Sequence, residues 1–211
     1  MIKEFCAENF TNIPKAIAAG VNRIELCDNL SVGGTTPSIG VLEETIAYVH
    51  EQNVSVMCMI RPRGGNFIYN DTELKMMEVD ILEAGKRGVD GIVFGALNEE
   101  NFLDEEGIEQ LLMAAGGLPV TFHMAFDQIL EEKQFAAIDW LIQHNVTRIL
   151  MHGGDLKNPI FNYFVKIERL VNYAQEKIAI LAGGGVTYQN FSEVMKMTGV
   201  KEVHGTKIVK F

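Results

Sequence analysis

Short apolar runs alternate with longer amphipathic stretches along the whole chain. The runs lie at about 2–6, 23–27, 55–60, 90–95, 119–123, 147–151, 178–182 and 201–204 and read as strands. Between them, residues 12–19, 38–50, 72–86, 104–115, 132–144, 160–175 and 188–198 repeat apolar positions at helical spacing, as with Ile39, Leu42, Ile46 and Val49. Thr36-Pro37-Ser38 and Asp71-Thr72-Glu73 supply helix-start signals. Ala19-Gly20-Val21-Asn22-Arg23-Ile24-Glu25, Arg87-Gly88-Val89-Asp90-Gly91-Ile92 and His144-Asn145-Val146-Thr147-Arg148-Ile149 each close a helix and open a strand, with Gly or Asn as the stop. Eight strands separated by seven helices make a βαβ rhythm and a parallel sheet. The expected fold is a single α/β domain over 1–211, a TIM-type (β/α)8 barrel lacking or shortening the last helix. An open doubly wound sheet needs fewer strands than this count. The last strand leaves little chain for an eighth helix, so a second subunit is expected over the gap beside the first and last strands, giving a homo-oligomer.

Composition narrows the class. The 211 residues suit one domain with one core, and 28 acidic against 18 basic residues leave a formal charge of −10. That charge argues against nucleic acid and anionic membranes as partners, because both need basic faces. No apolar run approaches the ~20 residues of a membrane helix, and the start MIKEFCAENF has no secretory pattern. Three cysteines, Cys6, Cys27 and Cys58, suit reduced thiols in a cytoplasmic setting.

In parallel barrels, functional groups gather at the carboxyl ends of the strands, and alternate residues of a strand share a face. Glu4, Cys6 and Glu8 share one face of the first strand, and Glu25 and Cys27 one face of the second. On the third, Met57, Met59 and Arg61 do so, with Arg63 just beyond. His123 ends the fifth strand, Met151 or His152 the sixth and His204 the eighth. Charges inside strands are costly unless paired or turned to a polar mouth. Two readings follow: an ion-pair network filling the barrel, or a site built on Glu25, Arg61 and His123, with Glu4, Arg63 and His204 binding ligand. Gly183-Gly184-Gly185 and Gly205-Thr206 follow the seventh and eighth strands, where barrels commonly bind phosphate, and Gly183 and Gly184 are candidates for an anion. Cys6 and Cys27 lie on neighbouring strands at ~5 Å spacing. Such thiolates suit Cu(I), with Met57, Met59 and Met151 as soft thioethers nearby. Equally, buried cysteines often serve as small hydrophobes. His50, His144 and Trp140 sit on helices and read as surface or packing residues.

Several segments together resemble the CutC family of copper homeostasis proteins. They are Arg23-Ile24-Glu25-Leu26-Cys27, Gly33-Gly34-Thr35-Thr36-Pro37-Ser38, Met59-Ile60-Arg61-Pro62-Arg63-Gly64-Gly65-Asn66-Phe67, Val93-Phe94-Gly95-Ala96-Leu97 and Thr121-Phe122-His123. Ala125-Phe126-Asp127, Arg148-Ile149-Leu150, Gly183-Gly184-Gly185-Val186, Asn190 and Glu202-Val203-His204 join them in order. The resemblance implies a TIM-type barrel, a cytoplasmic location, a role in copper homeostasis and a Cu(I) site at Cys6 and Cys27. The chain departs from the family pattern at Met124, where arginine is usual, at Met151-His152-Gly153 and at His204-Gly205-Thr206. Family members also usually run several tens of residues further.

Two functions are therefore expected. One is capture of Cu(I) by Cys6 and Cys27. The other is an enzyme on a small anionic metabolite, with Arg61 and Arg63 as the anion clamp and Glu25 and His123 as base and acid.

Overall fold

The computed structural model describes residues 1–211. Eight parallel strands close into a barrel in the order in which they occur. They are β1 (Ile2–Glu8), β2 (Arg23–Cys27), β3 (Ser55–Met59), β4 (Gly91–Phe94), β5 (Val120–Phe122), β6 (Arg148–Met151), β7 (Ala179–Ala182) and β8 (Glu202–Gly205). The outer ring holds α1 (Ile13–Ala18), α2 (Ile39–Glu51), α3 (Asp71–Lys86), α4 (Glu105–Ala115), α5 (Gln134–Gln143), α6 (Phe164–Ala174) and α7 (Phe191–Thr198). Each strand and helix falls within a few residues of the segment its periodicity predicts.

Local chemistry explains the boundaries. Ser38 Oγ accepts from Val41 N at the start of α2. Asn70, one residue ahead of the expected signal, builds a reciprocal capping box with Glu73 at the start of α3. Gly20, Gly88 and Asn145 all take left-handed backbone, as the repeated helix-stop phrase requires.

The strand pattern sorts side chains into two sets. Ile24, Leu26, Val56, Cys58, Ile92 and Phe94 face the helices and join the main apolar core. Their alternate neighbours fill the barrel. Cys6, Cys27, Met57, Met59 and Val93 form a separate small cluster there, apart from the outer core. Burial of the outer set stabilises by roughly 25 cal/mol per Å2 removed from water, which ties the ring to the barrel.

No eighth helix follows β8. Ile208 and Val209 are buried instead, and Phe211 packs edge-on against Phe5 of β1 at 5.8 Å. Phe211 is itself 53% exposed, so the end of the chain fills the β1–β8 seam only in part. No helix is long and apolar enough to cross a membrane.

Candidate metal and ligand site inside the barrel

The register places the inward-facing groups. Glu4 of β1 pairs with Arg23 of β2 on one side and with His204 of β8 on the other. Cys6 pairs with Glu25, and Glu25 in turn with Met57. Residues from four adjacent strands, β8, β1, β2 and β3, therefore meet on the barrel's inner wall.

At the amino-terminal end of the strands an ion network forms the floor. Arg23 Nε donates to Glu4 Oε2, and Arg23 Nη2 donates to Glu202 Oε2 at 2.5 Å. Arg148 Nε lies 3.3 Å from the same Glu202 oxygen, and its Nη1 donates to Thr121 Oγ1 at 3.2 Å. Arg23, Arg148 and Glu202 stand at the first positions of β2, β6 and β8, and none of them is among the site residues expected from sequence. Arg23 was detectable, since it shares parity with Glu25 and Cys27.

Above the floor lies the polar cluster. His204 Nδ1 donates to Glu4 Oε1 at 2.8 Å, and its Nε2 faces Glu25 Oε2 at 3.6 Å. Glu25 Oε2 accepts from the thiols of Cys6 at 3.3 Å and Cys27 at 3.5 Å. One ligand atom each from Cys6, Glu25 and Cys27 lies within 4.8 Å of the others, as do those from Glu4, Glu25 and His204. All five residues are buried. Glu25 Oε1 has no partner.

Electrostatics divide the protons among these groups. Burial pushes the Glu4 carboxyl up, but Arg23 and His204 outweigh it and hold Glu4 at about 2. Burial pushes His204 down, yet Glu25, Cys6 and Glu4 around it raise it well above its ordinary range. Glu25 is pushed well up by burial. The hydrogen bond from Cys27, and then His204, lower Cys6, whereas Cys27 is raised by the same pairing and by burial. The cluster thus favours the ionised form of Glu4, the cationic form of His204 and a Cys6 thiol more acidic than that of Cys27.

Comparison with known proteins decides the family. The CutC family profile matches residues 1–209. This chain belongs to the CutC family. It is 59% identical to a CutC-family protein of Enterococcus faecalis over 209 residues, spanning 99% of this chain and 100% of that one. It is 38% identical over 203 residues to the human copper homeostasis protein CutC homologue, spanning 96% of this chain and 72% of that one. The crystal structure of the Streptococcus agalactiae CutC protein superposes with a TM-score of 0.97 at 51% identity, covering 99% of this chain and 100% of that one. Deoxyribose phosphate aldolase from Aeropyrum pernix shares the barrel at a TM-score of 0.71 and 12% identity, over 98% of this chain and 85% of that one, a likeness of fold alone.

Within this CutC barrel the other expected site residues take different positions. Arg61 leaves the carboxyl end of β3 and donates from Nη1 to Val32 O and Gly34 O, at 3.0 and 3.1 Å, and from Nη2 to Gly65 O at 2.8 Å. It clasps the loop after β2 to the loop after β3. Its buried Nε has no acceptor. Arg63 is spent on Glu73, Asn66 and the carbonyl of Ile68. The two arginines therefore hold loops, and their forks do not face an open anion site together.

His123 Nδ1 accepts from Ala125 N at 3.2 Å, so the neutral ring carries its proton on Nε2, and that buried atom lacks an acceptor. Burial, and then Arg61, hold His123 down at about 3, so it stays neutral. Its ring and the Arg61 guanidinium both pack on Phe67, at 4.7 and 4.8 Å.

In the glycine loop, His152 Nδ1 contacts Gly183 O at 3.3 Å and Gly184 O at 2.8 Å. A side chain at Gly183 would meet Leu150, Met124 and His204, and one at Gly184 would meet His152. Asp127, part of the Ala125-Phe126-Asp127 motif, accepts from the backbone of His152 and Gly153 at 2.8 and 2.7 Å, so a carboxylate of the chain itself fills that cradle of N–H groups. Burial raises Asp127 to about 6. Above this rim lies a cavity of about 390 Å3 lined by Phe67, Met124, Asp127, Gln128, Gly154, Asp155 and Leu156.

Proposed function

We propose that this CutC-family chain handles copper in the cytoplasm by holding one Cu(I) between the sulfurs of Cys6 and Cys27. The observation that carries the reading is the pair of buried thiols converging on one carboxylate oxygen of Glu25. Thiolates are the preferred donors of soft Cu(I), and low coordination suits a cramped barrel interior. Charge supports the same reading. A bis-thiolate Cu(I) centre carries one net negative charge, and a cationic His204 beside it supplies the balancing positive one. Glu4 and Arg23 then cancel one another below. The human relative is named for copper homeostasis. The function is capture and buffering, with no bond chemistry.

Anaerobic competition against a Cu(I) chelator tests this. One equivalent should bind the wild-type chain, and the Cys6→Ser, Cys27→Ser double variant should lose it. Equal affinity in the two proteins rules out the thiolate site.

A second reading, an enzyme on a small anionic metabolite, is favoured by one observation: the Nε–H of Arg61 and the Nε2–H of His123 are buried donors without acceptors. A small carboxylate or phosphate could satisfy them. If so, such anions raise the melting temperature of wild type and not that of His123→Gln.

A further inference from the structure

We infer that Met59 is a third sulfur ligand beside Cys6 and Cys27, and that the site is a three-sulfur cradle for a soft monovalent ion. The inference rests on the copper reading above. It follows from sorting the methionines near the site by where their thioethers are placed.

Met151 is excluded by parity. It packs in the outer core, between the barrel and the helices, while Cys6 and Cys27 lie inside. Met57 faces inward and shares the cluster with Met59 and both cysteines, but its sulfur is engaged at the floor. Its Sδ lies 4.0 Å from the Arg148 guanidinium at the floor. Its thioether also fills the space left by the missing side chain of Gly91, where an added Cβ would come within 2.8 Å of the sulfur and 2.3 Å of the terminal methyl. A sulfur beside a fixed cation is poorly placed to accept a second one.

Met59 has neither constraint. It belongs to the same inner cluster as both cysteines. The β2–β3 register, Glu25 with Met57 and Leu26 with Cys58, carries forward to bring residue 59 opposite residue 27. Directly opposed residues on one face have Cβ atoms about 5 Å apart, within reach of a flexible thioether. Met59 is 4% exposed, so its sulfur needs no displacement from water before binding.

Glu25 also touches both thiols, but a carboxylate is a hard donor and suits Mg(II), Ca(II) or Mn(II). A thioether is soft and suits Cu(I). Two thiolates and a thioether thus favour Cu(I) over hard divalent ions such as Mg(II), Ca(II) and Mn(II).

Two measurements test this on the full chain. In chelator competition, Met59→Leu should weaken Cu(I) binding by about ten-fold or more, the scale on which metal-site residues act, while Met57→Leu stays within about two-fold of wild type by the same scale. Leu conserves the volume of Met closely enough for both variants to fold. The second measurement needs no variant. With methyl-labelled methionine, Ag(I) as a redox-stable surrogate should move the Met59 methyl resonance and leave that of Met57 in place. Binding of Cu(I) to Met59→Leu at wild-type affinity, or loss of binding in Glu25→Gln alone, overturns the assignment of Met59 and leaves the cysteine site standing. Absence of Cu(I) binding by the wild-type chain overturns both.

Discussion

Glu4 and His204 stand directly opposite each other across the seam that joins the first strand to the last, and His204 Nδ1 donates to Glu4 Oε1 at 2.8 Å. The pair is 200 residues apart in sequence and buried. It fixes the orientation of the imidazole and leaves Nε2 directed at Glu25 and the thiols.

That relationship sets an acid limb. Glu4 is held at about 2 against an ordinary 4.5, so its folded-state value is depressed. The stability it contributes is complete above pH 4.5 and is lost as pH falls from 4.5 toward 2. The full contribution is on the order of 3 kcal/mol. Glu4→Gln should lower the unfolding free energy at pH 7 by about that amount. It should also flatten the decline below pH 4.5. Urea unfolding at pH 7 and pH 3 checks both, and an acid limb unchanged in the variant refutes the assignment.

His123 predicts a second limb at higher pH. Its folded value of about 3 lies below the ordinary 6.5, so the unfolded chain takes up the proton first. Wild type therefore loses stability as pH falls from 6.5 toward 3, by about 1.4 kcal/mol per pH unit. His123→Gln should be less stable than wild type at pH 7 and should lack this slope. Parallel stability curves for the two proteins between pH 6.5 and 4 would show that His123 is not buried as a neutral ring.

Arg61 should act on loops. Replacing its fork by lysine removes at least two of three bonds to the carbonyls of Val32, Gly34 and Gly65. Arg61→Lys should cost about 2 kcal/mol. It should also speed modification of Cys27, because Leu30 of the same loop packs against the cysteine cluster. Labelling kinetics with an aromatic disulfide reagent read this out, and a wild-type rate means that other contacts hold the loop.

Gly91 is a packing requirement. A Cβ there would lie 2.6 Å from the carbonyl oxygen of Pro119 as well as against Met57. Gly91→Ala should destabilise by about 1–3 kcal/mol. Adding Met57→Ala should recover only part, since the backbone contact remains. Full recovery in thermal melts would locate all the strain in the side chain.

The barrel was legible because its strands and helices differ in period and because the caps and stops recur at each junction. Parity put Glu4 with Cys6 and Glu25 with Cys27 on shared faces, and only the closed barrel shows that those faces point inward and are neighbours. The loop partners of Arg61 were hidden for a physical reason. Its partners are main-chain carbonyls in loops whose course depends on left-handed residues such as Gly33 and Gly65, and a pattern of side-chain polarity carries no trace of that. The role of Asp127 was hidden in the same way, since its partners are backbone N–H groups after β6. The floor was half visible. Arg23 had the right parity, but Arg148 and Glu202, although inside the expected strands, find partners on strands that only closure of the barrel brings near.

The ionic floor made by Arg23, Glu4, Glu202 and Arg148 has a kinetic consequence. It stoppers one end of the barrel, so an ion held by the thiols as proposed would enter and leave by the opposite rim, and transit from one end of the protein to the other would be closed.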